Sequence, residues 1–558
     1  MLALLDGCIW FEKIHGNDCA NGCPTADGGT ITVATGCPMV PGLDDPDAPV
    51  IFFTDLVQGP NTGGAGGNGV FLTLYGLRFG AKGATDRVLI GNTEVAAYTA
   101  WNPSDAAAPD DRLRARRLET ITVQPGPAIA GDALDVVVIA QGRASNAVPF
   151  SAKTAGRIWF ADSGYAGQDG DGSLEKPFSD LASVKRMNVS GGDVVYLKGA
   201  FTKQDSERSG EYDTFVLSAE SHPITTAATP VAYVGFPGSP PMIGGTTART
   251  AVRALLLDDG GSGEGVNHLV FANLVFTHAI SIHLEGSDLR FVGNKLIAFP
   301  TPSCGAIELG DSSSIAVLGN YFRSLNLTAV HAIGRISGGD FAYNEVYACD
   351  GGFGFDPGGG SEITSLRVFD NLFARVNFID MALGPAVTSG SVFNNIFVNN
   401  ASDTLDLHLD RKGTPLVVAN NTLLHVVGGI REEGSPAMSS APYVFRNNVV
   451  ALRDAMSPYI STPSGGANGF SEVDHNVYAP KSGGASVVSS IESDARTFST
   501  FDALLLTSLS LDPTDLDVTP LAASPLVDQG ADTGLCGDYF GTRRPRGAGW
   551  DIGAVERP

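Results

Sequence analysis

Between Leu269 and Tyr478 the apolar residues fall into short runs broken by Gly, Asn and Asp, and one polar position recurs. Asn273, Asn294, Asn320, Asn344, Asn371, Asn395, Asn421, Asn448 and Asn476 each precede such a run. They stand 21 to 28 residues apart, about 25 on average. Helical spacing of apolar residues is absent there. A repeat of this length holding short strands reads as one coil of a parallel β-helix. Stacked coils lie about 4.8 Å apart. An Asn repeated at one turn can adopt the left-handed conformation there and hydrogen-bond to the same Asn one coil away. The nine Asn residues are therefore read as a structural ladder. A short helix over Ala182–Val189 is expected to cap the first coil.

A second pattern follows each ladder Asn at a distance of nine to fourteen residues. His283, Glu308, His331, Asp356, Asp380, Asp406 and Arg431 recur every 23 to 26 residues between mostly apolar neighbours. In a strand, apolar neighbours point one way and the residue between them the other. The spacing predicts a vertical outward row on one parallel sheet, with Glu285 on the same face and His408, Asp410, Arg411 and Lys412 beside it. Carboxylates about 5 Å apart are unfavourable unless a proton, a cation or a ligand compensates them, so the row is the candidate site.

Upstream, Ile51–Phe53, Val70–Tyr75, Val88–Ile90, Glu119–Val123 and Leu134–Ile139 are short β-branched and aromatic runs separated by Gly-rich turns, which predicts a β-sandwich over 49–152. Residues 1–48 carry Cys8, Cys19, Cys23 and Cys37, consistent with disulfides or a small metal site. The expected organisation is then 1–48, 49–152 and a β-helix over 153–558.

Composition narrows the partners. Lys plus Arg is 36 and Asp plus Glu is 60, a net charge of −24, which argues against nucleic acid or an anionic membrane. Gly is 69 of 558 residues, as repeated turns require. No apolar stretch reaches the length of a membrane span. No basic segment or cleavage site typical of a secretion signal is visible at the N-terminus. Gly260–Gly265 and Gly358–Gly360 lack the Lys and the helix of a phosphate-binding loop, so no nucleotide or organic cofactor is expected.

Three stretches carry resemblances. Gly69–Gly80 with Val88–Gly91 resembles the Ig-like IPT/TIG domains, implying a spacer or contact module. Ile158–Gly164, Asp169–Ser173, Lys176–Phe178 and Gly191–Gly199, with the closing Ser524–Gly530 and Asp551–Glu556, resemble right-handed parallel β-helix polysaccharide lyases and their relatives. The resemblance implies an all-β chain, a right-handed parallel β-helix behind an Ig-like β-sandwich. Gly351–Pro357 resembles a segment of mannuronan C5-epimerases in which a Tyr, an Asp and a His are functional. Asp356 matches the Asp, Phe353 stands in place of the Tyr and Gly358 in place of the His.

Three chemistries fit the row. Two carboxylates among Asp356, Asp380 and Asp406 can act as acid and base on a glycosidic bond. Alternatively the same three hold Ca²⁺ against a substrate uronate while His331 removes a proton, with Arg335, Arg411, Lys412 or Arg431 neutralising charge. In the third, the row, with His283, Glu285, Glu308, His408 and Asp410, only holds a glycan, as an adhesin or a phage-type fibre does. The leading expectation is an extracellular polysaccharide lyase, with hydrolysis next.

Overall fold

The computed structural model describes residues 45–102, 118–167, 170–186, 189–202, 212–218, 225–245, 252–258, 266–299, 305–357, 361–401, 403–408, 413–433, 443–453, 459–461, 470–480, 494–508 and 516–557. Its contacts divide the chain into two compact units. One comprises residues 1–158 together with 505–558, and the other Trp159–Leu504. The coil strands thus end before Leu505, and the last 54 residues, expected to close the solenoid, group with the first unit instead. Cys8, Cys19, Cys23 and Cys37 lie outside the described residues.

Besides a two-stranded antiparallel sheet, Leu506–Ser508 with Asp517–Pro520, the first unit holds two mainly antiparallel sheets in its N-terminal part. One orders Val50–Thr54, Leu72–Leu77, Glu119–Gln124 and Ala97–Asn102. The other is built on Gly131–Ala140, flanked by Val148–Lys153 and Arg87–Ile90. Alternate residues such as Val136, Val138 and Ala140, or Val148, Phe150 and Ala152, are buried, as one-sided burial of a strand demands. The closing segment wraps one cation. Arg544, fully buried, donates to the Asp551 and Gly553 carbonyls and to the Glu556 carboxylate. Burial pushes the Glu556 carboxyl up to about 7 even against that guanidinium.

The second unit is a parallel β-helix. Three faces repeat around each coil. Face A carries strands such as Leu289–Val292, Ile336–Ala342, Ile363–Phe369 and Gly390–Phe393. Face C carries Lys295–Ile297, Tyr321–Arg323, Glu345–Tyr347, Leu372–Ala374 and Ile396–Val398. Face B carries Ile282–Ser287, Thr328–Ala332, Gly351–Phe355, Met381–Leu383, Asp403–His408 and Gly428–Glu433. The 14-residue strand Gly305–Leu318 bends through faces B and A. Every strand on these faces pairs in parallel with its equivalent one coil on. The interior is a continuous apolar column, with stacked rings such as Phe373 on Phe397 at 4.8 Å. The capping helix is present as Leu181–Arg186.

The ladder runs unbroken from Asn294 to Asn476 at the turn between faces A and C. Each Oδ1 from Asn320 onward accepts both the backbone N–H and the side-chain amide of the preceding Asn, at 2.8 to 3.1 Å. Each Nδ2 also donates to a carbonyl of the coil below. The left-handed conformation, expected at these Asn residues, sits one residue earlier. Gly293, Gly319, Tyr343, Asp370, Asn394, Asn420, Asn447 and His475 have φ between 51° and 64°. One residue turns the chain and the next carries the hydrogen bonds. Asn273 is a turning residue (φ 59°), and Leu274 occupies the ladder position beside it.

Candidate functional site

Face B presents its apolar residues inward: Ile282 and Leu284, Ile307 and Leu309, Val330 and Ala332, Phe353 and Phe355, Met381 and Leu383, Leu405 and Leu407. The residues between them form an outward column whose register is set by strand pairing. It runs His283, Glu308, His331, Gly354, Ala382, Asp406 and Arg431. Five of the seven expected positions are therefore in the row, and Asp356 and Asp380 are not. Equal spacing in sequence does not guarantee register when coils differ in length: successive column members here are 23, 28 and 24 residues apart between His331 and Asp406. The alternation Phe353-Gly354-Phe355, with both Phe inward, is the sequence signal that marks Gly354 as the outward residue.

Asp356 is exposed and stands two residues beyond Gly354, just past the strand end. Its carboxylate leans over the next rung, because a Cβ added at Gly384 would collide with Asp356 Oδ1. Asp380 has the opposite fate. It precedes the strand Met381–Leu383, is fully buried, and accepts a 2.6 Å hydrogen bond from Asn400 Nδ2. Burial, the largest influence, raises its pKa well above the carboxylate range, against the hydrogen bonds from Asn400 and Thr404. Strand alternation does not extend to it because the strand begins one residue later. Asp380 is an interior group, so the expected trio Asp356, Asp380 and Asp406 does not assemble, and a cation cannot be held by all three.

At the lower end of the row His283 and Glu285 meet at 3.3 Å. Glu308 pairs in register with both His283 and His331. Burial lowers the His331 pKa, outweighing Glu308 and Asp356, which pull it up. The imidazole is therefore neutral near physiological pH, and its Nδ1 is buried with no hydrogen-bond partner among the described residues. Above it, Gly354, Ala382 and Gly384 make a floor of minimal side chains two rungs high. Asp406, 5% exposed, begins the far wall, and Arg431 follows one rung later. Along a strand residues rise ~3.3 Å and rungs are ~4.8 Å apart. The Asp356 carboxyl, over Gly384, thus lies two residues and one rung from Asp406, about 8 Å.

Arg335 is exposed on the turn after the His331 strand, its N–H bonded to Asp311 at 2.7 Å. His408 pairs in register with Glu433 on face B. Asp410, Arg411 and Lys412 lie outside the described residues. Among the described residues, the one group of His and carboxylates with ligand-like spacing is Asp474, His475 and Asp494 at the last coils, far along the chain from the row. Arg446 already sits 3.8 Å from Asp474 there.

No protein-family model matches the chain, and no curated relative does. Among solved structures it is similar to the pectate lyase Pel9A, with 14% identity over 72% of this chain and 96% of that one and a TM-score of 0.41. It is also similar to XylC in complex with xylose (10% identity, 72% and 99% covered, TM-score 0.36). A third is the catalytic domain of a GH87 alpha-1,3-glucanase in complex with nigerose (9% identity, 77% and 89% covered, TM-score 0.33).

Proposed function

We propose that the chain is a glycan-cleaving enzyme whose site is the small-residue stretch of face B around Ala382, with His331 over Gly354, Asp356 over Gly384 and Asp406 on the next rung. The observation that carries the reading is the placement of Asp356 over Gly384, on the rung next to that of Asp406; strand and rung spacing puts these positions about 8 Å apart, in the range that inverting glycoside hydrolases use. The exposed Asp356 is the residue placed to activate water, and the enclosed Asp406 the one to protonate the leaving oxygen. His331, neutral beside Asp356, is available to a substrate hydroxyl. His283, Glu285 and Glu308 extend the polar wall along the axis.

Elimination, the leading expectation from sequence, fits less well. His331 as base and Arg431 as neutralising cation are four rungs, about 19 Å, apart, whereas the proton removed and the carboxylate neutralised belong to one sugar. It survives in the form in which Arg335 takes the cation's role, favoured by the depressed pKa of His331. Digestion of a panel of polygalacturonate, alginate, xylan and α- and β-glucans separates the two. New reducing ends without the ultraviolet absorbance of an unsaturated uronate support hydrolysis, and proton NMR of the first product should show inverted anomers. Asp356→Asn and Asp406→Asn are each expected to lower kcat/KM at least about a thousandfold, with circular dichroism unchanged. Full activity in either variant overturns the assignment.

A further inference from the structure

Six large hydrophobic side chains are exposed among the described residues: Leu174, Met242, Ile333, Phe378, Leu505 and Leu521. Two of the six belong to the rungs of the proposed cleft. Ile333 directly follows the strand Thr328–Ala332, which carries His331. Phe378 is the most exposed of all, at 64%, and lies on the turn leading into the floor strand Met381–Leu383. It stands four positions before Ala382, within about 13 Å of it.

The turn holds this ring in water. Val376 N–H is bonded to Asn400 Oδ1 at 3.0 Å, and Asn377 N–H to the Cys349 carbonyl at 3.0 Å. Asn377 Nδ2 reaches Asp350 Oδ1 at 2.9 Å, and Phe378 N–H the Asp350 carbonyl at 2.7 Å. Val376 before it and Asp380 after it are fully buried. These bonds fix the backbone on which the ring stands, so an aromatic surface is presented to solvent on the turn before the floor strand. Apolar platforms beside a few fixed polar groups are the general composition of ligand sites. A pyranose offers the matching ligand, with C–H bonds gathered on one ring face and hydroxyls at its rim.

We infer that Phe378 is a stacking platform for a sugar unit of the substrate next to the one cleaved, and that it sets a preference for longer chains whose rings have a flat C–H face. The inference rests on the hydrolytic reading of the Asp356/Asp406 cleft. It concerns binding, so its test separates KM from kcat. Oligogalacturonates, xylo-oligosaccharides and gluco-oligosaccharides of increasing length serve as probes. Phe378→Ala should raise KM tenfold or more for the longer oligomers and little for the shortest that is cleaved, with kcat nearly constant. Phe378→Trp should restore KM, and its indole emission, taken as a difference from the wild type, should change on adding oligomer to the Phe378→Trp/Asp406→Asn protein. Cleavage with kinetics unaltered in Phe378→Ala overturns this inference and leaves the cleft reading standing. Neither cleavage nor an emission change with any probe overturns both.

Discussion

Single residues on the same face of the solenoid have opposite surroundings, and this decides their chemistry. Asp380 and Asp356 carry the same carboxyl and occur in the same repeat, yet one is enclosed and the other exposed. The raised pKa of Asp380 has a definite sign for stability. The unfolded chain ionises it at about pH 4, while the folded chain keeps the proton to a higher pH. Above about pH 4 the unfolded state binds fewer protons, so this group's contribution to stability falls as pH rises towards the folded-state pKa. Asp380→Asn retains an acceptor for Asn400 Nδ2 and removes the ionisation. It is expected to be near neutral at about pH 4–5 and to stabilise by about 1–3 kcal/mol at about pH 8, measured by urea unfolding at the two pH values. A destabilised variant at both would contradict the interior protonated carboxyl. Gly384→Ala makes the complementary test: the new Cβ would push aside the Asp356 carboxylate. The added carbon also comes within 2.7 Å of Asp356 Cβ, which rotating the carboxylate cannot relieve, so melting should fall while kcat drops roughly tenfold or more.

At the scale of elements, the turn between faces A and C is the part most fully readable from sequence. Its period and its Asn residues follow from one requirement, that buried amides be satisfied coil by coil. Asn371→Ala would leave the Asn344 N–H and Nδ2 without their shared acceptor and the Phe341 carbonyl without a donor. A cost of about 3 kcal/mol or more is expected. Asn294→Ala, at the end of the ladder, where Oδ1 serves the Leu274 N–H, should cost less. Equal losses, read from denaturant midpoints, would mean that the ladder is not cooperative. Face B was legible only in part. Alternation correctly placed His283, Glu308, His331, Asp406 and Arg431, because each lies inside a regular strand. It misplaced Asp380, which lies one residue before its strand, where period two no longer holds, and Asp356, which points outward but stands two residues past Gly354, the residue in register.

The whole molecule carries a net charge of −24. Self-repulsion of that size opposes the compact state and is screened by salt. The melting temperature is expected to rise by several degrees from low to physiological ionic strength, followed by circular dichroism; a fall would place net attraction among the surface charges. The sequence by itself determined that most of the chain is a stack of parallel coils, because a repeated polar turn and repeated apolar runs admit one regular solution when buried amides must pair with the next coil. The tertiary structure alone decided which polar residues share the outward column of face B. Coil lengths vary by several residues, and register is chosen by packing of Phe353, Phe355, Met381 and Leu383 in the interior rather than by residue count. That choice turned Asp380 inward, put glycine and alanine where a charged row was expected, and left Asp356 over Gly384 beside the rung of Asp406.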